Sequence, residues 1–324
     1  MSLYKAIGVL FRFLVKRPSV GTIGIGLSLV VYQHLVGQLG LSTQLVFCGL
    51  FLVLSGIPHG ALDHLLEQER ASRLGHSFSM LSFIANYLAT AGLYGLLWLL
   101  VPTLSLLLFL LISAWHFGET DLPNAPHTRQ WSLVRLLSGG FVLAFILLNH
   151  ASEATPIIIG LVRQNETALQ TWQWMTNHSG LLLRAWFTQV LILSMLASAH
   201  RSLAVNGWRL IRLLSILALT FYLPLLPAFM LYFGGWHSLN SFDTIRQYLR
   251  ANEHSLSTEI WNVWTKSVPL TGLAFAFLLI GGVLYDQLFS LTELIPILFI
   301  FLSLITLPHV RVMHRIFSVA SASK

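Results

Sequence analysis

The sequence is poor in cysteine and in charged residues. Cys48 is the only cysteine among 324 residues, which excludes a disulfide framework within the chain and a cluster of thiolate metal ligands. Charged residues make up 10% of the chain, whereas soluble domains carry about 25%. These two shortages exclude an ordinary soluble domain and a disulfide-stapled one.

Long apolar runs take the place of charge. Hydrophobic residues make up 55% of the chain and its mean hydropathy is +0.73, and a membrane-spanning helix needs about 20 mostly apolar residues. Runs of about that length occupy 20–37, 41–57, 80–101, 103–117, 133–149, 181–200, 267–289 and 291–307. None alternates like a strand, and helices satisfy their own backbone within a bilayer. We therefore predict an all-α, polytopic transmembrane helical bundle of about 8–10 membrane helices.

Basic residues indicate how the chain is oriented. The first segment, 1–19, carries four of them around a short apolar stretch without a small-residue cleavage site, so we interpret it as an interfacial segment and not as a signal peptide. The positive-inside rule places this N-terminus in the cytoplasm. The net charge of +7 then predicts contact with anionic lipid head groups, not with nucleic acid. Without a long linker or internal repeat, 1–324 is predicted to be a single membrane-embedded domain.

The run 210–236 is ambiguous because Pro224 and Pro227 interrupt it. It either crosses the membrane once or folds back as two short halves. With the folded-back pair, every Lys and Arg except Arg163 and Arg184 lies on the cytoplasmic side. We favour that arrangement because each half is short for a full crossing.

Under this topology, histidines collect at one membrane depth. Seven of the 13 histidines lie at cytoplasmic helix ends: His59, His64, His116, His200, His237, His309 and His314. Each one taken alone is readily explained as a structural or interfacial residue. Ionisable groups near the membrane interior usually mark functional sites, however, and imidazole is the commonest neutral metal ligand. Together they predict a metal site.

The stretch GIPHGALDHLL at 56–66 has a sequence pattern suited to such a metal site. Pro58 favours the first turn of a new helix. If that helix continues, Asp63 is four residues after His59 and on the same face. Its carboxylate would then hold the outer N–H of a ligating imidazole.

The other motifs resemble the first. In SAWHFGETD, His116 is followed by Glu119 and Asp121, either as carboxylates near the imidazole or as an ordinary polar helix end. In FGGWHSLNSFD, His237 and Ser241 are one helical turn apart, a spacing at which two histidines would chelate one metal. In LPHVRVMH, His309 follows a proline at a predicted helix end.

Four motifs resemble one known family. GIPHGALD (56–63), WHFGETD (115–121), GGWHSLNSF (234–242) and LPH (307–309) are similar to the Brp/Blh family of membrane-bound bacterial and archaeal β-carotene 15,15'-dioxygenases. They occur in the order typical of that family, from about residue 45 onward. The resemblance implies a helical bundle in the inner membrane that holds non-haem iron.

The resemblance also implies an activity. Fe(II) would activate O2, which cleaves the central double bond of bilayer-dissolved β-carotene to give two molecules of retinal. The family's iron ligands match His59, His116 and His237 in this chain. A rhodopsin that receives the retinal is a further partner of the kind that the resemblance suggests.

Two positions depart from the family pattern. The family has H-x-x-x-H after its third motif, but this chain has Ser241 at the second histidine, and His314 stands where an acidic residue is common. The vacancy could be filled by His200, His309, His314, Asp63 or Glu119. Alternatively, three histidines suffice, or the chain has lost the chemistry.

Three other functions stay open at this stage. A related membrane metal oxygenase would act on another polyene or lipid. A transporter would use the His/Asp/Glu cluster as a proton relay, although the chain shows no internal repeat and its candidate ligands lie at one face. A non-catalytic relative would bind carotenoid or retinal without cleaving it.

Overall fold

In the computed structural model, the chain is described over residues 13–199, 206–249, 256–288 and 294–322. Its regular structure there is helical, without strands. The helices are α1 (Pro18–Leu35), α2 (Leu41–Phe51), α3 (Ile57–Gly60), α4 (Asp63–Arg73), α5 (Met80–Leu100), α6 (Pro102–Asp121), α7 (Arg129–Asn149), α8 (Ala151–Val162), α9 (Glu166–Asn177), α10 (Ser179–Ser198), α11 (Gly207–Thr220), α12 (Leu225–Met230), α13 (Leu239–Tyr248), α14 (Leu256–Leu288) and α15 (Leu294–Ala322). Two π-helical segments interrupt them, π1 (Leu52–Gly56) and π2 (Leu231–Ser238).

Seven helical stretches in the described part of the chain are long and apolar enough to cross a membrane. They are Leu41–Arg73, Met80–Leu100, Pro102–Asp121, Arg129–Asn149, Ser179–Ser198, Ile260–Ile280 and Ile295–Ile316. The predicted all-α polytopic bundle is therefore confirmed. The predicted run 20–37 forms helix α1, which is not among the seven. Of the predicted interfacial segment 1–19, residues 1–12 lie outside the described part.

The chain contacts divide into two compact units. One unit comprises Met1–Phe78 and Gly207–Phe275, and the other comprises Ser79–Asn206 and Ala276–Lys324. The single domain over 1–324 stays a prediction.

Local sequence signals account for several helix starts. Pro18 and Pro102 stand in the first turns of α1 and α6, where the missing N–H of proline costs no hydrogen bond. The side chains of Ser79, Thr128 and Asn165 cap α5, α7 and α9 by accepting hydrogen bonds from backbone N–H groups. Such caps satisfy donors that the helix leaves without partners.

In the first unit, the run 210–236 breaks into two helical pieces. Helix α11 ends at Thr220, and α12 begins at Leu225 after a turn that contains Pro224. Helix α11 packs against π2 and α1, so the chain folds back, as predicted. With 14 residues, α11 extends only about 21 Å, which is short of the roughly 30 Å hydrocarbon core.

In the second unit, α6 and α7 pack most extensively, and α15 packs against α5 and α6. Two hydrogen bonds attach α15 to α5: Tyr87 Oη donates to the carbonyl of Ile305 at 3.1 Å, and Trp98 Nε1 donates to Ser303 Oγ at 2.7 Å. These bonds satisfy polar groups within apolar helices, where an unmade bond is costly. They hold the helix that carries His309.

Candidate metal centre

In the first unit, the predicted histidine motif directly follows a π-helical turn. Segment π1 ends at Gly56, and Pro58 lies in the first turn of α3, as predicted. A π turn closes i→i+5 hydrogen bonds, and π turns within helices are frequent at functional sites. The wider turn sets the direction in which the next side chains leave the helix.

Ser55 links the two π segments. Its hydroxyl donates to the carbonyl oxygen of Gly234 in π2 at 2.9 Å and lies 3.1 Å from the carbonyl oxygen of Phe51. Gly234 allows this approach, because a Cβ atom there would come within 2.7 Å of the Phe51 ring. The two segments are thus held together by a short buried hydrogen bond.

The carbonyl of Ser55 also orients His59. The Nδ1 atom of His59 lies 3.1 Å from that oxygen. Because a carbonyl oxygen only accepts hydrogen bonds, the contact requires the proton on Nδ1, and Nε2 then carries the lone pair for a metal. The side chain is buried, with 4% exposed.

His237 lies within π2 and faces His59. The ring centroids of the two imidazoles are 5.7 Å apart, with planes at 82°, and His237 is fully buried. Phe233 stacks on His237 at 6.0 Å and meets His59 edge-on at 6.1 Å. Phe229 stacks on Phe233 in turn, at 5.4 Å. The His59–His237 pair therefore lies against an aromatic wall.

Asp63 and Ser241 flank this pair in the sequence and are both buried. Helix α3 ends at Gly60, and Asp63 starts the separate helix α4, so the condition under which Asp63 would share a helical face with His59 is not met. Ser241 is fully buried in α13, one turn after His237. Within the described part of the chain, its hydroxyl has no hydrogen-bond partner.

The second unit holds its own histidine pair. His116 on α6 and His309 on α15 have ring centroids 5.0 Å apart and planes at 89°, and both side chains are buried. Helix α15 continues through Pro308 to Ala322, so the expectation that His309 lies at a helix end is wrong. Helices in membranes tolerate an internal proline when neighbours satisfy the freed backbone groups.

Glu119 and His314 form a hydrogen bond beside the His116–His309 pair. The Nδ1 atom of His314 lies 2.6 Å from Oε1 of Glu119, and the two side chains are 48% and 2% exposed. The Trp115 ring meets the His314 ring at 5.8 Å. Glu119, a predicted partner of a ligating imidazole, is thus bonded to a histidine from another helix.

Arg135 holds the connection that follows the motif of His116. Its buried guanidinium donates to the carbonyl of Pro126 at 3.2 Å and to the carbonyl of Ala125. Asp121, the last residue of α6, is also buried, with 2% exposed. Predicted candidate His200 lies outside the described residues.

Helices α6 and α7 approach each other through small residues. A Cβ atom added to Gly118 would collide with the backbone of Arg135, and one added to Gly139 would collide with the carbonyl group of Ala114. Small residues four positions apart allow such close packing between membrane helices. Since His116 lies between Ala114 and Gly118, this contact sets its position.

The structure thus places two predicted histidines side by side in each unit: His59 with His237 in the first, and His116 with His309 in the second. His59, His116 and His309 are each buried, and each offers one imidazole nitrogen as a metal ligand; His237 is buried as well. Sequence reasoning missed Phe233 and the contact between Gly118 and Gly139. Glycine-containing patterns were the available signals: FGG at 233–235 for Phe233, and HFG at 116–118 for the contact of Gly118.

A comparison with family models decides which family this is. The model of the β-carotene 15,15'-dioxygenase family matches residues 50–316, which is most of the chain and includes all four motifs. The chain belongs to this family. Its membership of the Brp/Blh group, suggested by those motifs, is confirmed.

Two relatives illustrate the similarity of this family member. The chain is 27% identical over 281 residues to the β-carotene 15,15'-dioxygenase of uncultured marine bacterium 66A03, covering 84% of this chain and 94% of that protein. It is 22% identical over 286 residues to the probable β-carotene 15,15'-dioxygenase Blh of Halobacterium salinarum, covering 80% of each. No solved structure matches the chain.

Proposed function

We propose that this protein cleaves the central 15,15' double bond of β-carotene with O2 and releases two molecules of retinal. Two facts support the proposal. The chain buries two pairs of imidazoles in apolar helices, and a relative that it matches nearly end to end is named for this reaction. The buried histidine pairs carry the proposal, because imidazoles that lie side by side in an apolar interior are suitable ligands for a metal ion.

The proposed metal ligands are His59, His116, His237 and His309. A metal–nitrogen bond of about 2.1 Å places a ring centroid about 3.2 Å from the ion. Two imidazoles that share an ion at 90–120° then have centroids about 4.5–5.6 Å apart. The His116–His309 pair at 5.0 Å lies within that range, and the His59–His237 pair at 5.7 Å lies just above it.

Fe(II) is the metal that we propose. Imidazole is a ligand that suits iron. When bound, a ferrous ion supplies the one-electron chemistry that O2 needs to react with a polyene. The identity of the metal is the finer part of the proposal, and metal analysis of the purified protein tests it.

The chain's own residues orient the ligands and provide an apolar wall. The carbonyl of Ser55 holds the Nδ1 proton of His59, and such partners fix a ligand's tautomer and ring direction. Phe233 lies against both imidazoles of the first pair, where its ring excludes water and offers a surface to a polyene. We propose that β-carotene enters this site from the bilayer, without passing through water.

Ser241 supports a second candidate function. It stands fully buried, one turn after His237, where the family pattern has a second histidine. A protein with too few ligands to activate O2 would bind carotenoid or retinal without cleaving it. We favour the enzyme, because the relative named for this cleavage is matched over 94% of its length.

We also propose the protein's location and partners. The seven apolar helices are those of a multi-pass membrane protein. The distribution of Lys and Arg supports an inner-membrane location with a cytoplasmic N-terminus. Lipid and O2 are the partners that the proposed reaction requires, and a rhodopsin would be a further one, as acceptor of retinal.

The proposal is tested in a bacterium that accumulates β-carotene. Retinal and β-carotene are quantified by chromatography in cells that express the wild-type protein, His59→Ala or an empty vector. His178→Ala is the matched control, because His178 is exposed and bonds its own helix at Trp174. We expect retinal to form at the expense of β-carotene in the wild type and the control only.

One other outcome would count against the enzyme, and another would count against His59 as a ligand. Unchanged pigment, with carotenoid bound to the purified membrane protein, would support the binding role. Cleavage that survives His59→Ala would remove His59 from the site. Iron content of the same purified variants shows whether a loss of cleavage accompanies a loss of metal.

A further inference from the structure

The Glu119–His314 hydrogen bond joins the two helices that carry the second histidine pair. Glu119 lies three residues after His116 on α6, and His314 lies five residues after His309 on α15. The Nδ1–Oε1 distance of 2.6 Å is short, as expected for a hydrogen bond in which a partner carries charge. One polar contact thus crosses between the helices about one turn from the proposed ligands.

Because Glu119 is buried, its hydrogen bond to His314 matters for the stability of the helix pair. The Glu119 side chain is 2% exposed and lies in a membrane-spanning segment, where a carboxylate without hydrogen bonds is costly. The bond to His314 reaches Glu119 from α15, whereas Trp115 and Arg135, which also interact with its carboxyl group, lie on α6 and α7. Losing the bond to His314 removes that polar contact between α6 and α15.

We propose that the Glu119–His314 contact is a positioning clamp that sets the spacing of His116 and His309 for metal binding. The inference rests on the proposed function, since it takes those two histidines as ligands. Neither clamp residue contacts the metal or the substrate in this role. His314, which the sequence offered as a candidate ligand, instead acts through Glu119.

The test uses variants that keep or remove the donor at Nδ1. His314→Asn places an amide N–H near the position of Nδ1, His314→Gln places it near Nε2, and His314→Ala has no donor. His178→Ala serves as the control, because it removes an exposed histidine in the same unit that bonds only within its own helix region. Fe(II) dissociation constants are measured for each purified protein by competition with a chelator.

We expect His314→Ala to weaken Fe(II) binding by up to about tenfold, the lower end of the effect of losing a partner bonded directly to a metal ligand, because His314 bonds Glu119 and not a ligand. His314→Asn should bind Fe(II) nearly as well as the wild type, and His314→Gln should fall between. His178→Ala should bind like the wild type. Wild-type affinity in His314→Ala, or equal weakening in His314→Asn and His314→Ala, would overturn the clamp.

A second measurement needs no metal. Unfolding midpoints of the metal-free protein are compared for Glu119→Ala, His314→Ala and the double variant. If the two side chains act on each other, the double variant unfolds no earlier than the worse single variant; additive shifts would overturn the clamp. If the wild-type protein binds no iron, the proposed function is overturned as well. The comparison of single and double variants does not depend on iron, so it still tests the contact between Glu119 and His314.

Discussion

Adding one methyl group at Gly139 should separate helices α6 and α7. A Cβ atom at this position would lie 2.8 Å from the backbone nitrogen of Gly118 and 2.9 Å from the carbonyl carbon of Ala114. Ordinary van der Waals contact begins at 3.4 Å, so α6 must move by at least roughly half an ångström. A gap of that size forfeits about a quarter of the dispersion attraction of the atoms around it.

Two opposing contributions determine how Gly139→Ala changes the free energy of unfolding. Overpacking costs about 1–3 kcal/mol, whereas Gly→Ala within a helix gains up to about 1 kcal/mol of propensity. Gly95→Ala is the matched control, because a Cβ atom there would meet Leu304 at an ordinary 3.6 Å. Both variants gain the same propensity term, which therefore cancels, and we expect them to differ by about 1–3 kcal/mol in their free energy of unfolding.

The assay is reversible unfolding of the detergent-solubilised protein, followed by its helical circular dichroism. Iron content is measured on the same samples, because His116 lies on the helix that moves. Gly139→Ala should lose both stability and iron, and Gly95→Ala should lose neither. Equal stability of the two variants would refute the close packing of α6 and α7 as the cause.

Two further changes test the first unit. Ser55→Ala removes the hydrogen bond to Gly234 and leaves a buried carbonyl without that donor. The free energy of unfolding should fall by about 1–3 kcal/mol, and the iron content should fall as well. Ser28→Ala is the control and should change neither, because the exposed hydroxyl of Ser28 bonds its own helix. Ser241→His restores the family's second histidine at a buried position, and plasma emission spectrometry should then detect more iron per protein than in the wild type. Unchanged iron occupancy would indicate that the site needs no ligand from this position.

Much of the fold was predictable because bilayer physics leaves few choices. An apolar run of sufficient length must form a helix to satisfy its backbone, so most predicted windows correspond to observed spanning helices. Proline supplied the break between α11 and α12 for the same local reason: it cannot continue the hydrogen-bond pattern. Burial of His59, His116 and His237 also agreed with their motifs. Their role as ligands stays a prediction.

Other features depend on contacts between distant residues. The motif of His59 gave no sign of the π turn that precedes it or of the end of α3 at Gly60. The hydrogen bond from Ser55 to Gly234 also cannot be predicted from hydropathy. The sequence offered His314 as a candidate ligand, and only the structure shows its bond to Glu119, 195 positions away.

The sequence by itself determined that the chain is an all-α membrane protein, where most of its helices lie, and which histidine motifs place it in its family. Those properties are local, since they follow from the polarity of consecutive residues and from short patterns. Only the tertiary structure decided that His59 lies beside His237, that His116 lies beside His309, and that two π turns and two glycines set their positions. Such pairings depend on how side chains fill the space between helices. A close-packed interior allows few arrangements, and no single segment of the sequence specifies which one forms.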